Sequence, residues 1–269
     1  MQGTQWSIGD ITVTRIESSN FVLPSASAMP AWSVPAFAPS VEHTSIAFSA
    51  LVVKTPLSTI VVDPWLVDDG PRQLPVAEAD AMIAGLLGEV AAVGAPAAAI
   101  DTVVLSHVDG IGWSTRPTDD GWRPTFPNAR YLLPAAELAA IDRGVEINGA
   151  EHLGPLRDAG LLDAVDAPFE IVAGVSLVDA PGHNFGHVAV RIEDGSSLAI
   201  YPGHLVLSLL QVDDPGADAG ELDLTTATAT RRAVLDELAS RDGVLLTTLV
   251  GGPGGGVVQR SGSGYRLAT

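Results

Sequence analysis

The chain has 269 residues, 32 Asp and Glu against 14 Lys and Arg, a formal net charge of −18, and no cysteine. This length can bury a full hydrophobic core, and the lack of cysteine excludes disulfide frameworks, cysteine-ligated metals and thiol nucleophiles. The negative charge disfavours nucleic-acid and anionic-membrane partners. No apolar run approaches the roughly 20 residues that span a bilayer, and no basic segment leads into an apolar N-terminal stretch. We therefore expect a cytoplasmic protein.

Strand and helix patterns alternate along the first half of the chain. Alternating apolar and polar residues over 6–17 predict a strand pair around the turn at Gly9-Asp10. Residues 18–41 are rich in Pro, Ser and Ala but also carry large apolar groups, which predicts an ordered loop or lid and a possible homodimer contact. Further strands are predicted over 45–53, 58–63, 100–106 and 126–133, with helices over 79–93 and 135–143.

The second half continues the same alternation. Strands are predicted over 171–178, 188–192, 197–201 and 244–249, with a helix over 225–240. The glycine-rich run 251–256 lacks the Gly-Lys-Ser/Thr ending of a phosphate-binding loop and predicts a flexible loop. No change in composition separates the halves, so the pattern predicts one α/β domain over residues 1–269.

Histidine is scarce enough for its positions to be weighed singly. His107 lies in SHVDGIGW and His183 in PGHNFGH, each after a predicted strand and among glycines, and His204 follows the strand predicted over 197–201. Loops at strand ends are where α/β proteins place reactive groups, because the sheet holds such loops rigidly. His107, His183 and His204, together with Asp109, are therefore the candidate catalytic residues.

Three segments in this order carry a specific resemblance: VVLSHVDGIGW over 103–113, FPNARY over 126–131 and DAPGHNFGH over 179–187. They resemble segments of the metallo-β-lactamase-fold hydrolases, in the branch that contains lactonases and organophosphate hydrolases. Residues 201–211 are similar to that family's strand with the bridging aspartate, 231–235 to the following helix and 264–266 to the closing strand. The resemblance implies an α/β fold of the metallo-β-lactamase type, a four-layer αββα sandwich with its active site at the sheet edges.

The metal-binding motif departs from the pattern of that family. Its members hold two metals with an HxHxDH loop, the PGH histidine, a bridging aspartate and a late histidine. Here the loop is two residues shorter and retains only His107 and Asp109, with Gly110 at the position of its last histidine. His204 stands at the position of the bridging aspartate, and Leu249 stands near that of the late histidine. Two divalent ions need roughly four to six protein ligands, so we expect the dinuclear centre to be lost.

Three interpretations of the remaining site stay open. In the first, no cofactor is bound, and the four candidate residues carry out acid–base hydrolysis, cyclisation or elimination on an apolar carbonyl- or lactone-bearing small molecule. In the second, His107, His183 and His204 bind a single zinc ion. In the third, the protein is a non-catalytic binding or scaffold protein. A composition rich in Ala, Gly, Val and Asp suggests a bacterial protein of secondary metabolism.

Other residues are assigned to substrate contact or to structure. The candidate substrate-binding side chains are Trp113, Phe185, Trp32 and Trp65. We expect His187 to pack behind the site and Asp63 to hold the loop after its strand. His43 and His152 have no motif around them and are expected at the surface or in the lid.

Overall fold

The computed structural model describes residues 4–23, 44–64, 74–109 and 111–268. The chain forms two compact units, of which unit 1 comprises Met1–Ser19 and Phe48–Asp166, and unit 2 comprises Asn20–Ala47 and Ala167–Thr269. Each unit contains a seven-stranded sheet and helices, as an α/β protein requires. Among the described helices, none combines the length and the apolarity needed to span a bilayer.

The first sheet has its strands in the order β1-β2-β3-β4-β5-β8-β9, and β6 and β7 form a separate hairpin. These strands are β1 (Gln5–Ile8), β2 (Ile11–Leu23), β3 (Thr44–Lys54), β4 (Thr59–Val62), β5 (Thr102–Val104), β6 (Thr115–Thr118), β7 (Gly121–Pro124), β8 (Arg130–Pro134) and β9 (Leu162–Val165). Strands β4, β5, β8 and β9 are parallel neighbours. Their carboxyl ends therefore lie at one edge, where Asp63 follows β4 and His107 comes soon after β5.

The helices of unit 1 pack an apolar stripe onto its core. They are α1 (Val76–Ala92), α2 (Ala135–Asp142) and α3 (Leu153–Asp158), with 3₁₀ turns at Ala97–Ala99 and Ala150–His152. The buried residues of α1 are Ala79, Ile83, Leu86 and Val90, which recur at three- and four-residue spacing and so share one face. That face packs in a cluster with Val61 and Val103 of the sheet.

The second sheet has the order β10-β11-β12-β13-β14-β15-β16. Its strands are β10 (Phe169–Val172), β11 (Val175–Asp179), β12 (Val188–Asp194), β13 (Ser197–Tyr201), β14 (Val244–Leu246), β15 (Gly255–Ser261) and β16 (Gly264–Ala268). Unit 2 also contains a 3₁₀ turn (Gly203–Leu205), α4 (Leu209–Asp213) and α5 (Leu224–Ser240). Helix α5 lies against β13, β14 and β15 and buries Ala227, Arg231, Leu235 and Leu238.

Two predictions for unit 2 are wrong in detail. Residues 171–178, predicted as one strand, belong to the hairpin β10–β11, in which Val172 pairs with Val175 across a turn at Gly174. The end of the glycine-rich run is also part of β15 rather than a flexible loop. A Cβ at Gly256 would lie 2.6 Å from the carbonyl oxygen of Ala268, so the close pairing of β15 with β16 requires a residue without a side chain.

In unit 1, the prediction of a surface position for His152 is wrong. The side chain is 1% exposed, its Nδ1 lies 2.7 Å from the Thr115 hydroxyl, and Trp122 meets its ring edge-on. The β6–β7 hairpin, which the sequence pattern did not predict, supplies both partners. Residues 18–23 of the predicted lid continue β2, and 24–41 lie outside the described residues, as does His43.

Candidate functional site

Three histidines of unit 2 lie at one edge of its sheet. Strands β11 and β13 both pair antiparallel with β12, so they run in the same direction and end at the same edge. His183 lies in the loop after β11, His187 directly precedes β12, and His204 lies in the 3₁₀ turn after β13. The strand order therefore brings together residues that are up to 21 positions apart in the chain.

The loop that carries His183 is fixed by the start of α5. Gly182 has a φ of +121°, and a Cβ there would lie 2.2 Å from the backbone nitrogen of Ala227. The backbone N–H of Asp223 donates to the Gly182 carbonyl at 2.9 Å, and that of Leu222 donates to the His183 carbonyl at 3.2 Å. Helix and loop thus meet backbone to backbone, which fixes the main chain of His183.

His187 connects the two loops of this edge. Its Nδ1 donates to the Ala180 carbonyl at 3.1 Å, because a carbonyl can only accept, and its Nε2 accepts the backbone N–H of His204 at 3.1 Å. Burial, together with the neighbouring His183, lowers the pKa of His187 well below its usual value. The ring is therefore neutral and, as expected, has a structural part behind the site.

His183 and His204 form a close imidazole pair. Their ring centroids are 5.4 Å apart with planes at 77°, and their candidate ligand nitrogens lie within 4.8 Å of each other. Desolvation, and then the positive charge of Arg231, lowers the pKa of His183 to about 4. At neutral pH this imidazole is uncharged, which is the form that offers a lone pair to a metal ion or a proton.

A buried ion pair fixes the turn that carries His204. Arg231 on α5 and Glu221 have fully buried side chains, and the guanidinium pairs with the carboxylate. The same guanidinium donates to the carbonyl oxygens of Leu205 and Pro215, each at 2.5 Å. Because Leu205 follows His204 directly, the orientation of the turn depends on a charged group inside the core.

Further hydrogen bonds satisfy the other polar atoms of this network. The second carboxylate oxygen of Glu221 accepts the backbone N–H of Ala219 at 2.7 Å. Gln211 donates to Glu221 at 3.1 Å and accepts the backbone N–H of Leu207 at 2.8 Å. Polar contacts therefore hold the segment from the His204 turn to Glu221 against α5. Since each charge in this network has a partner, the network avoids the cost of an unpaired buried charge.

In unit 1, His107 lies in a loop that follows β5. Its ring is 1% exposed, and its Nδ1 lies 3.0 Å from the hydroxyl oxygen of Ser106. Ser106 in turn donates to both oxygens of Asp63, from its backbone N–H at 2.7 Å and from its hydroxyl at 2.5 Å. The loop that carries His107 is thus bound to the end of the neighbouring strand β4.

The rest of this loop is held by side chains from two other segments. The carboxylate of Glu137 on α2 is completely buried and accepts the backbone N–H of Val108 at 3.2 Å. Asp109 is only partly buried, and one of its oxygens accepts the side-chain N–H of Asn148 at 3.1 Å. The sequence indicated Asp109 but not Glu137, whose position on a short helix gives no sign of burial.

The candidate substrate-binding residues have different surroundings. Trp113 is completely buried in the core of unit 1, with its ring centroid 6.0 Å from that of Phe126. Phe185 lies two residues after His183 in the same loop and is 44% exposed. Trp32 and Trp65 lie outside the described residues. Substrate contact by these four residues stays a prediction.

Comparison with known proteins shows the fold. Neither a family model nor a curated protein sequence matches the chain. Among solved structures, AidC, a dizinc quorum-quenching lactonase, matches with a TM-score of 0.74 at 20% identity, over 99% of this chain and 97% of AidC. The hydrolase AbOPH of the beta lactamase superfamily matches with a TM-score of 0.73 at 18% identity, over 98% of this chain and 96% of AbOPH.

A third solved structure, a probable metal-dependent hydrolase from Staphylococcus aureus, matches with a TM-score of 0.71 at 15% identity, over 98% of this chain and 99% of that one. The chain has the metallo-β-lactamase fold. The predicted fold class is therefore confirmed.

The prediction that this site works without a metal is wrong. His183 and His204, both in unit 2, bring candidate ligand nitrogens within 4.8 Å of each other. Structures of the same fold are described as dizinc or metal-dependent. Both findings point to a metal cofactor. The alternative that the sequence also left open, a single zinc ion, needs only three protein ligands.

Replacing Gly182 with alanine should destabilise the protein through the contact with α5. We expect Gly182→Ala to lower the free energy of unfolding by about 2 kcal/mol more than Gly220→Ala, in chemical denaturation. Gly220 is the matched control, because its φ is +90° but nothing lies within 4 Å of a Cβ there. Equal losses in the two variants would show that α5 does not fix the loop.

Removing the charge of Arg231 alone should cost far more than removing both charges of the pair. We expect Arg231→Met to lower the free energy of unfolding by about 3–5 kcal/mol, because it leaves the Glu221 carboxylate buried without its cation. The double variant Arg231→Met/Glu221→Leu should recover part of this loss in the same denaturation experiment. A double variant at least as unstable as the single one would contradict this account.

Proposed function

We propose that the protein is a metal-dependent hydrolase that opens lactones or related carbonyl esters with one bound metal ion. The single observation that carries the proposal is the His183–His204 pair, whose ligand nitrogens lie within 4.8 Å on two fixed loops. His107, on the loop that resembles the metal loop of such hydrolases, is proposed as the third ligand. This ligand set is the second of the three interpretations that the sequence left open.

The donor set suits one zinc ion. Three neutral imidazoles are an accepted set for catalytic zinc, and zinc takes nitrogen ligands in preference to the oxygen-rich sets that calcium and magnesium require. Within the described ranges, the candidate ligand group contains no carboxylate that could bridge two ions. When bound, zinc supplies a Lewis acid that polarises a carbonyl oxygen.

The chain's own residues would keep the ligands ready and move the proton. His187 and Arg231 hold the His204 turn, and the low pKa of His183 keeps that ring neutral at physiological pH. We assign proton transfer to Asp109, whose partly buried carboxylate is oriented by Asn148. It would accept a proton from the water that adds to the carbonyl carbon, and return a proton to the alkoxide released when the ring C–O bond breaks.

A neutral, partly apolar substrate fits the charge of the protein. A net charge of −18 repels anions such as phosphate esters. Phe185, which lies in the same loop as His183 and is exposed, would offer an apolar contact to such a substrate. Structural neighbours include a lactonase and an N-acyl homoserine lactone hydrolase, each with N-hexanoyl-homoserine-type product bound. We therefore propose lactones with an apolar substituent as the substrate class.

Metal analysis tests the ligand set. The purified protein, incubated with zinc and then dialysed, should contain about one ion per chain by elemental mass spectrometry. His183→Ala and His204→Ala should each reduce this content to near zero, because two imidazoles alone hold zinc weakly. His152→Gln is the control, since His152 is buried but lies outside the ligand group. Two ions per chain would overturn the single-ion centre, and none would overturn metal dependence.

Hydrolysis of N-hexanoyl-homoserine lactone tests the reaction. We expect the zinc-loaded protein to open the lactone and to leave a phosphate monoester intact. Asp109→Asn should lower kcat by about 10²-fold or more while the zinc content stays unchanged, because it removes the proton acceptor and not a ligand. Activity equal to that of the wild type in this variant would exclude the proposed role of Asp109. No turnover of any lactone by the zinc-loaded protein would overturn the substrate class.

A further inference from the structure

Asp63 has an unusual backbone conformation for a buried residue in unit 1. It is 3% exposed, and its φ of +42° lies in the left-handed region, which costs a non-glycine residue about 1–2 kcal/mol. Such a conformation persists when surrounding bonds fix it. Its backbone N–H donates to the Val104 carbonyl at 2.9 Å, and both side-chain oxygens bind Ser106. These bonds turn the carboxylate toward the loop that carries His107.

The hydrogen bonds around Ser106 determine where its single hydroxyl proton lies. The oxygen is 2.5 Å from Oδ2 of Asp63, a length typical of a hydroxyl that donates to a carboxylate. The other carboxylate oxygen of Asp63 accepts the Ser106 backbone N–H at 2.7 Å. Because the proton points to Asp63, the hydroxyl can only accept at its 3.0 Å contact with Nδ1 of His107. Nδ1 must then carry the imidazole proton.

We propose that Asp63, acting through Ser106, sets the tautomer of His107, with the proton on Nδ1 and the lone pair on Nε2. This inference rests on the proposed function where it makes Nε2 the metal ligand, and it names Asp63 and Ser106 as positioning residues. A ligand histidine that is held by a carboxylate has a fixed ring and a more basic free nitrogen. Here the carboxylate acts through an intervening hydroxyl and comes from a different strand.

Replacing the carboxylate with an amide should reverse the relay. In Asp63→Asn, the amide oxygen can still accept the Ser106 backbone N–H, but the amide nitrogen must donate to the Ser106 hydroxyl oxygen. The hydroxyl proton would then turn to Nδ1 of His107, and the imidazole proton would move to Nε2. The nitrogen proposed to bind zinc would lose its lone pair, although nearly every atom keeps its position.

The tautomer can be measured in the metal-free protein. Long-range ¹H–¹⁵N correlation spectra of the histidine side chains, recorded above the usual histidine pKa, should show His107 protonated on Nδ1, with His107→Gln providing the assignment. We expect Asp63→Asn to shift the proton to Nε2 and to weaken zinc binding about 10–100-fold. If wild-type His107 carries its proton on Nε2, the inference is wrong, whatever the affinity for zinc.

A matched control is available at the residue that precedes β5. Asp101 accepts the Ser58 hydroxyl at 3.1 Å and the Thr59 backbone N–H at 2.8 Å, so it makes the same kind of contacts as Asp63. Both of those donors lie at the start of β4, at the opposite end of that strand from Asp63. Asp101→Asn should leave both the tautomer of His107 and the zinc affinity unchanged. A change equal to that of Asp63→Asn would mean that the effect comes from general disturbance of the sheet.

Two further variants keep the inference testable if Asp63→Asn fails to fold. Ser106→Ala removes the hydroxyl and should give a mixture of both tautomers, whereas Ser106→Thr keeps the hydroxyl and should preserve the wild-type tautomer. An unchanged tautomer in Ser106→Ala would overturn the relay. The expected tautomer without zinc binding in the wild type would instead leave the relay intact and disprove the proposed metal-dependent function.

Discussion

A charge that is removed from water must be hydrogen-bonded on all sides, and the Arg231–Glu221 pair imposes this constraint on unit 2. The guanidinium needs acceptors, which it finds in the carbonyls of Leu205 and Pro215. Burial of apolar residues alone therefore does not determine the path of the chain after β13. The path must also place those two carbonyl oxygens within reach of the guanidinium. The position of His204 is a consequence of this requirement.

Elements with a clear hydrophobic period could be predicted from the sequence. Alternation over 6–17 and the apolar run over 197–201 each correspond to observed strands, because burial of one or both faces leaves a pattern in the residues. The hairpin β10–β11 was missed because its turn depends on the backbone of Gly174. Strand β15 was missed because a strand that starts with glycines has no side-chain pattern to detect.

In the candidate site, some residues could be identified from their type and position in the sequence, whereas their contacts could be found only from the structure. His107, His183 and His204 could be found because histidine is rare and each follows a strand. The bonds of Asp63 to Ser106 and of Arg231 to Glu221 could be found only from the structure, since a left-handed φ and a buried charge on a helix have no counterpart in a hydrophobic pattern. The sequence could list these histidines but could not choose between a metal-free and a metal-binding site, because that choice depends on how close their nitrogens lie.

The start of α5 is also the reference point for the His183 loop. Asp223 caps the helix by accepting the backbone N–H of Thr226 at 3.0 Å, and the helix places Ala227 against Gly182 one residue later. Asp223, a single residue before the helix, therefore helps to fix the position of the His183 ring, which is 40 residues earlier in the chain. If the first turn of α5 frayed, His183 would lose this support and move, while the sheet beneath it stayed intact. The N-terminal end of α5 therefore limits how far the His183 loop can move toward the helix.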